Sequence, residues 1–366
     1  MKGSPIYRFV FAGGGTGGHL YPAIAVAEKI RELKPESEFL FIGTKNKIEA
    51  NVVPASGFNF KSVWISGFSR KMNLSNILFP LKVFVSYFQS LIALISFKPR
   101  VAVGTGAYVA GPVISAASTL GVKIILLEQN SYPGITNRLL EKKANQIHIS
   151  YEDSKKYFRM TEKLNVTGNP IRTALNLINR NEACIKMNLD PNKKVVLILG
   201  GSGGAKSINN VIAGEIKSLT ENNIQLIWQT GKFYYDQYNK YNSEMTIVAA
   251  YIDDMSAAYS CSDLVIARGG ATTIAEVSYL GLPVILIPSP NVAANHQFKN
   301  AESLKKSDAA ELIEDKNMNS ELRNKIISLL NDEVRLSELK KNIKNFSKPD
   351  AAKIVAESAI KLAEQI

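Results

Sequence analysis

The sequence predicts an α/β protein of two Rossmann-like domains, each built on a parallel sheet and facing a shared deep cleft. Three observations carry this expectation. Short apolar runs rich in β-branched residues, without polar alternation, recur between helical stretches, as strands buried on both faces do. The pattern breaks at Gly168-Asn169-Pro170 and restarts after a polar stretch that reaches Lys194. Both halves open alike, on a strand that runs into a glycine-rich loop: FVFAGGGTGGH at 9–19 and VLILGGSGGAKS at 196–207. A chain of 366 residues has ordinary length for two domains. The first is expected over 1–168, with 348–366 returning to it, and the second over 169–347.

In the first half the strand runs are YRFVFA (Tyr7–Ala12), EFLFIG (Glu38–Gly43), RVAVG (Arg100–Gly104), KIILLEQ (Lys123–Gln129) and QIHIS (Gln146–Ser150). The second half has VVLILG (Val195–Gly200), IQLIW (Ile224–Trp228), MTIVAAY (Met245–Tyr251), DLVIA (Asp263–Ala267) and PVILIP (Pro283–Pro288). Pro22 suits the first turn of a helix that carries Ala23, Val26, Ala27 and Ile30 on one face. The last stretch, PDAAKIVAESAIKLAEQI, is amphipathic, with Ala351, Ile354, Ala359 and Leu362 on one face. It is expected to pack on the first domain.

The formal charge of +12 favours anionic partners such as nucleotides, pyrophosphates or acidic headgroups. No long Lys/Arg run or nucleic-acid motif is present, so nucleic acid is not expected as a partner. Cys184 and Cys261 lie far apart in sequence, so no disulfide framework or cysteine metal site is expected, and a reducing cytosol fits. The opening residues lack the apolar run of a signal peptide. No stretch reads as a transmembrane helix; the nearest, Asn76–Phe97, is interrupted by Pro80 and Lys82. Its Leu78, Phe79, Leu81, Phe84 and Tyr87, with Arg70, Lys71 and Lys82, read either as a core helix or as a patch for an anionic membrane.

Gly13 to Gly18 formally satisfy the dinucleotide fingerprint G-x-G-x-x-G. That reading also needs an acid at the end of the second strand, and Gly43-Thr44-Lys45 stands there instead. What remains is a tight loop of amides at a helix N-terminus, suited to a phosphate or a developing oxyanion. His19 ends the loop at the carboxyl edge of the sheet, where it is a candidate general base. Gly200 to Ser207 nearly spell a P-loop, but Ala205 stands where glycine is required. In DLVIARGGATTIAE, a helix starting near Ala271 offers the amides of Ala271, Thr272 and Thr273 to a diphosphate. Glu276, one turn further in, can accept hydrogen bonds from the two hydroxyls of a ribose. Asn130 and Asn137 are candidate polar ligands, and Gly104, Gly106 and Gly111 would permit close backbone approach. His296 and Gln297 could read sugar hydroxyls. No metal-binding spacing and no cofactor fingerprint remains, so neither a metal nor a cofactor is expected.

Taken in order, GGGTGGH, YPAIAVA, SGF, EQN, TNRLL, GNPIR, GGSGGAKSIN, YIDDM, ARGGATTIAE, GLPVILIP and NHQFKNA resemble the bacterial MurG glycosyltransferase family across most of the chain. The resemblance implies the two-domain GT-B fold with a C-terminal helix returning to the first domain. It implies transfer of N-acetylglucosamine (GlcNAc) from UDP-GlcNAc to the C4 hydroxyl of the muramoyl sugar of lipid I, the undecaprenyl-diphosphate intermediate. The product is lipid II, formed with inversion at the anomeric carbon on the cytoplasmic face of the inner membrane. An enzyme of the same architecture without a lipid acceptor, such as a UDP-GlcNAc epimerase, is the alternative.

By the same resemblance, Thr16, Gly17 and Gly18 close over the donor and His19 is the base. Asn130 contacts the GlcNAc, Arg172 reaches the nucleotide sugar, and Ser202 meets the diphosphate. Ile252 presents its backbone to uracil, Ala271 to Thr273 hold the diphosphate or nucleoside, Glu276 the ribose and Gln297 the sugar hydroxyls. Gly104, Tyr108 and Asn137 are acceptor-side candidates. The sequence departs from the family pattern at Gly203, at His296, where a second glutamine is common, and at Ala107 and Ala110.

Overall fold

The computed structural model describes residues 7–67, 77–172, 175–201, 203–292 and 295–365. The chain divides into two compact units, 1–173 with 348–366, and 174–347.

The first unit carries seven parallel strands: β1 Arg8–Ala12, β2 Glu38–Gly43, β3 Asn59–Ser62, β4 Val101–Gly104, β5 Lys123–Glu128, β6 Gln146–Ile149 and β7 Leu164–Val166. Their order is β3-β2-β1-β4-β5-β6-β7. Both faces of the sheet are covered. Phe9 and Phe11 of β1 face one apolar cluster, which holds α1 (Gly17–Leu33). Val10 and Ala12 face the other, which holds α4 (Ala107–Thr119). This two-sided burial is why the strands read as continuous apolar runs. The edge strands β3 and β7 are short and partly exposed, and no apolar run announced them.

The helix α1 starts earlier than expected. Thr16 is its N-cap, and the amides of His19 and Leu20 both donate to the Thr16 carbonyl, at 3.3 and 3.2 Å. Pro22 therefore lies beyond the first turn, where it removes one intrahelical bond, and His19 belongs to the first turn rather than to the loop.

The sheet is followed by α2 (Glu49–Ala55) after β2, α3 (Phe79–Phe97) before β4, and α5 (Ile135–Leu140) after β5. The C-terminal helix, Ala351–Glu364, packs on α1 through Val355, Ala356, Ala359 and Ile360. Arg100 donates to its Ala363 carbonyl at 2.9 Å. Ile354 is 41% exposed and stands outside the buried face, against expectation, because the packed positions follow 352, 355, 356, 359, 360 and 363.

In α3, Lys82 is the one charge among 19 residues, and by length and composition the helix is apolar enough to cross a membrane. This corrects the expectation that no stretch qualifies, since Pro80 falls in the first turn, where proline is tolerated. One face, with Ser86, Ser90, Ala93 and Leu94, is buried. Leu81, Phe84, Phe88, Ile92 and Ile95 are exposed on the other. Arg70 and Lys71 lie outside the described residues.

The second unit has six parallel strands: β8 Lys194–Leu199, β9 Ile224–Gln229, β10 Thr246–Ala249, β11 Leu264–Ala267, β12 Val284–Leu286 and β13 Glu311–Leu312. Their order is β10-β9-β8-β11-β12-β13. In both units the winding reverses beside the strand that opens the unit, between β1 and β4 and between β8 and β11. Open α/β sheets bind ligands at such points, outside the carboxyl ends of the strands. The glycine loops follow β1 and β8 there.

Candidate functional site

The first half-site is built from the loops after β1, β2, β4 and β5. Its glycines have distinct reasons. A side chain at Gly14 would lie 2.5–2.7 Å from the Glu49 carboxylate, and Gly15 adopts φ +79°. The Gly15 amide donates to Glu49 Oε2 at 2.9 Å. The Thr44 amide and hydroxyl donate to Glu49 Oε1 at 2.9 and 2.6 Å. Glu49 opens α2 and is 1% exposed. Sequence reasoning missed it: the residue sits in a polar stretch, TKNKIEA, that matches no motif.

His19 is clamped from β4. Its Nδ1 lies 2.7 Å from the Thr105 carbonyl oxygen and 3.2 Å from Gln129 Oε1. A carbonyl oxygen can only accept, so Nδ1 carries the proton and Nε2 holds the lone pair. The Thr105 hydroxyl donates to the His19 carbonyl at 2.8 Å.

Glu128, at the end of β5, orders the next loop. It is 2% exposed and accepts from the Asn130 amide (3.0 Å), Asn130 Nδ2 (3.3 Å), the Gly134 amide (2.9 Å) and Asn137 Nδ2 (2.9 Å). Asn137 also donates to the Leu127 carbonyl and is 1% exposed. Through Nδ2 it braces the loop that Glu128 orders. Gly104 is likewise a packing residue: a side chain there would lie 2.9 Å from Ile114, inside the core. Tyr108, in the first turn of α4, lies against Gly15. Arg172 stacks its guanidinium 4.3 Å above the Tyr21 ring on α1. Thr16 and Gly18 are exposed and Gly17 is buried.

The second half-site lies in the other unit. The second glycine loop packs on the Thr230-Gly231 turn and leads into a helix over Lys206–Glu221; Ser202 lies outside the described residues. Arg268, after β11, donates to Asp315 at 2.5 Å, to the Ser207 hydroxyl at 2.7 Å and to the Ile287 carbonyl at 3.0 Å. It ties together three strand-end segments. A side chain at Gly269 would lie 2.4 Å from the Gln297 carbonyl, so only glycine lets the turn rest on the helix His296–Lys306.

The helix Ala271–Leu280 makes its first intrahelical bond from the Ile274 amide to the Gly270 carbonyl. The amides of Ala271, Thr272 and Thr273 precede it, at the positive end of the dipole. Glu276 is 3% exposed, and Oε2 accepts from the Tyr259 hydroxyl at 2.9 Å. The Ile252 amide donates to Gln229 Oε1, so a base could be read there only through the carbonyl. Gln297 Oε1 accepts from the Ser289 amide at 2.8 Å, which fixes Nε2 as the donor end of its side chain.

Two family models match these units. Residues 9–149 match the N-terminal domain of glycosyltransferase family 28, and residues 195–355 match its C-terminal domain. A Flavobacterium psychrophilum protein named UDP-N-acetylglucosamine–N-acetylmuramyl-(pentapeptide) pyrophosphoryl-undecaprenol N-acetylglucosamine transferase is 44% identical over 361 residues, 98% of each chain. The Cytophaga hutchinsonii protein of the same name is 41% identical over 97% of each chain.

The chain belongs to the MurG family of glycosyltransferases.

The crystal structure of Acinetobacter baumannii MurG agrees, at 25% identity and a TM-score of 0.72, covering 97% of this chain and 99% of that one. The GT-B fold expected from the sequence holds for this member. A UDP-GlcNAc 2-epimerase from Neisseria meningitidis also superposes, with a TM-score of 0.66 over 98% of this chain and all of that one. At 15% identity it shares the fold alone. The epimerase alternative thus draws on a likeness that does not reach the residues.

Proposed function

We propose that this MurG-family chain transfers GlcNAc from UDP-GlcNAc to the C4 hydroxyl of the N-acetylmuramoyl-pentapeptide sugar of lipid I, forming lipid II for peptidoglycan. The observation that carries the mechanism is the 2.7 Å contact between His19 Nδ1 and the Thr105 carbonyl. It leaves Nε2 as the proton acceptor.

The acceptor C4 hydroxyl gives its proton to His19 Nε2 as its oxygen attacks the anomeric carbon. The bond to the UDP oxygen breaks on the opposite face, so the configuration inverts. Negative charge grows on the leaving diphosphate, where the amides of Ala271, Thr272 and Thr273 and the Arg172 guanidinium stabilise it. Ser202 adds a contact there. Glu276 takes a ribose hydroxyl, the Ile252 carbonyl takes the uracil N–H, and Gln297 and Asn130 bind GlcNAc hydroxyls. Thr16, Gly17 and Gly18 form the edge that covers the donor. Tyr108 meets the acceptor.

The lipid acceptor places this reaction on the cytoplasmic face of the plasma membrane, with the chain as a peripheral protein. The exposed side of α3 supports this. Its other side is docked on the unit, and spanning the bilayer would require stripping it away. Lying in the interface buries Phe84, Phe88 and Ile92 without that loss, while the +12 charge draws the chain to anionic headgroups.

The test is incubation of the full chain with UDP-GlcNAc and a lipid I analogue, with product linkage read by mass spectrometry and NMR. A β-1,4-linked disaccharide lipid is expected. Conversion of UDP-GlcNAc without acceptor, and no disaccharide, would replace transfer with an epimerase-like activity.

A further inference from the structure

Glu49 is buried, yet its carboxylate takes hydrogen bonds from the loops after β1 and β2. Oε2 takes the Gly15 amide, and Oε1 takes both donors of Thr44. Gly14 and Gly43 leave the room it fills: side chains there would stand 2.5–2.7 Å and 2.6 Å from its atoms. The site is therefore built around this carboxylate.

Two consequences follow from donor counting. The Gly15 amide is committed and cannot cradle a phosphate, and an acidic group under the loop opposes an anion at that point. The Thr44 hydroxyl has one proton, which goes to Glu49, so this oxygen can offer only its lone pairs elsewhere. Tethering Gly15 also fixes Thr16, whose carbonyl receives the amides of His19 and Leu20.

We infer that Glu49 is a positioning residue for the transfer reaction: by holding the Gly15 amide it sets the turn that carries His19. This rests on the transferase reading above.

The test compares wild type with Glu49→Gln and Thr44→Val in the full chain, using UDP-GlcNAc and a lipid I analogue, with UDP binding measured by calorimetry. Glutamine keeps the shape but sets its NH2 against the Gly15 or Thr44 donors. Its kcat should fall by roughly tenfold or more, the scale of a lost hydrogen bond to a charged group, with UDP affinity within about twofold of wild type. Thr44→Val removes the hydroxyl that donates to Glu49 Oε1 and leaves the Gly15 contact, so it should lower kcat by roughly fivefold and leave the KM for UDP-GlcNAc unchanged. The stoichiometry of UDP binding gives the folded fraction, which separates positioning from general loss of folded enzyme. If Glu49→Gln does not fold, the kcat of Thr44→Val decides alone, and no change in it overturns the inference. An unchanged kcat in folded Glu49→Gln, or an equal loss of UDP affinity, also overturns it. A wild-type chain that transfers nothing overturns both this inference and the function it rests on; variants that match an active wild type overturn this inference alone.

Discussion

His19 Nδ1 lies 2.7 Å from the carbonyl oxygen of Thr105, 86 residues later in the chain. That contact puts the proton on Nδ1 and leaves the lone pair on Nε2, the atom that takes the proton in the proposed transfer. His19→Ala should therefore lower turnover by about 10²–10⁴-fold, the usual worth of general-base assistance, with little change in UDP affinity. Steady-state transfer and UDP calorimetry check this. A turnover loss under roughly tenfold would demote His19 from base, and a loss confined to UDP affinity would make it a donor ligand.

Glu276 should behave in the opposite way. Replacing it with alanine removes a buried acceptor from the second half-site, together with the hydrogen bond it takes from the Tyr259 hydroxyl. UDP affinity should weaken by roughly tenfold or more, with a smaller effect on turnover at saturating donor. Calorimetric titration with UDP gives the first quantity and saturation kinetics the second.

The exposed face of α3 predicts a surface effect without a chemical one. Phe84→Ser with Ile92→Ser should reduce sedimentation with vesicles that contain anionic phospholipid. Turnover of a short-chain, water-soluble acceptor should stay at the wild-type level. Unaltered vesicle binding would assign the membrane contact to another part of the chain.

His148 supplies a pH dependence of stability. It is 3% exposed on β6, and burial lowers its pKa from 6.5 to about 4. Between those values the unfolded chain holds a proton that the folded chain does not. Stability from this group is thus complete above pH 6.5 and falls as pH drops toward 4, by roughly 2–3 kcal/mol at pH 4.5. Urea unfolding at pH 7 and pH 4.5 should show a smaller decrease for His148→Phe than for wild type. Equal decreases would leave other groups responsible.

Much of the fold was legible because buried parallel strands and amphipathic helices write themselves as local patterns. The runs at Phe9–Ala12 and Val195–Leu199 carry no polar interruption because both faces are covered. The edge strands Asn59–Ser62, Leu164–Val166 and Glu311–Leu312 lacked that signal because water covers part of each. The helix start was misplaced at Pro22 because glycine-rich segments have weak helix propensity, and the Thr16 carbonyl overrode it through two hydrogen bonds.

The sequence by itself determined the repeated α/β layout, the glycine loops at the strand ends, the histidine beside the first loop and the family. Tertiary structure decided the protonated nitrogen of His19, the bracing roles of Glu128 and Asn137, and the carboxylate of Glu49 beneath Gly15. The reason is physical. Periodic burial is encoded over neighbouring residues, whereas these hydrogen bonds join groups up to 110 residues apart and exist only once the strands are side by side.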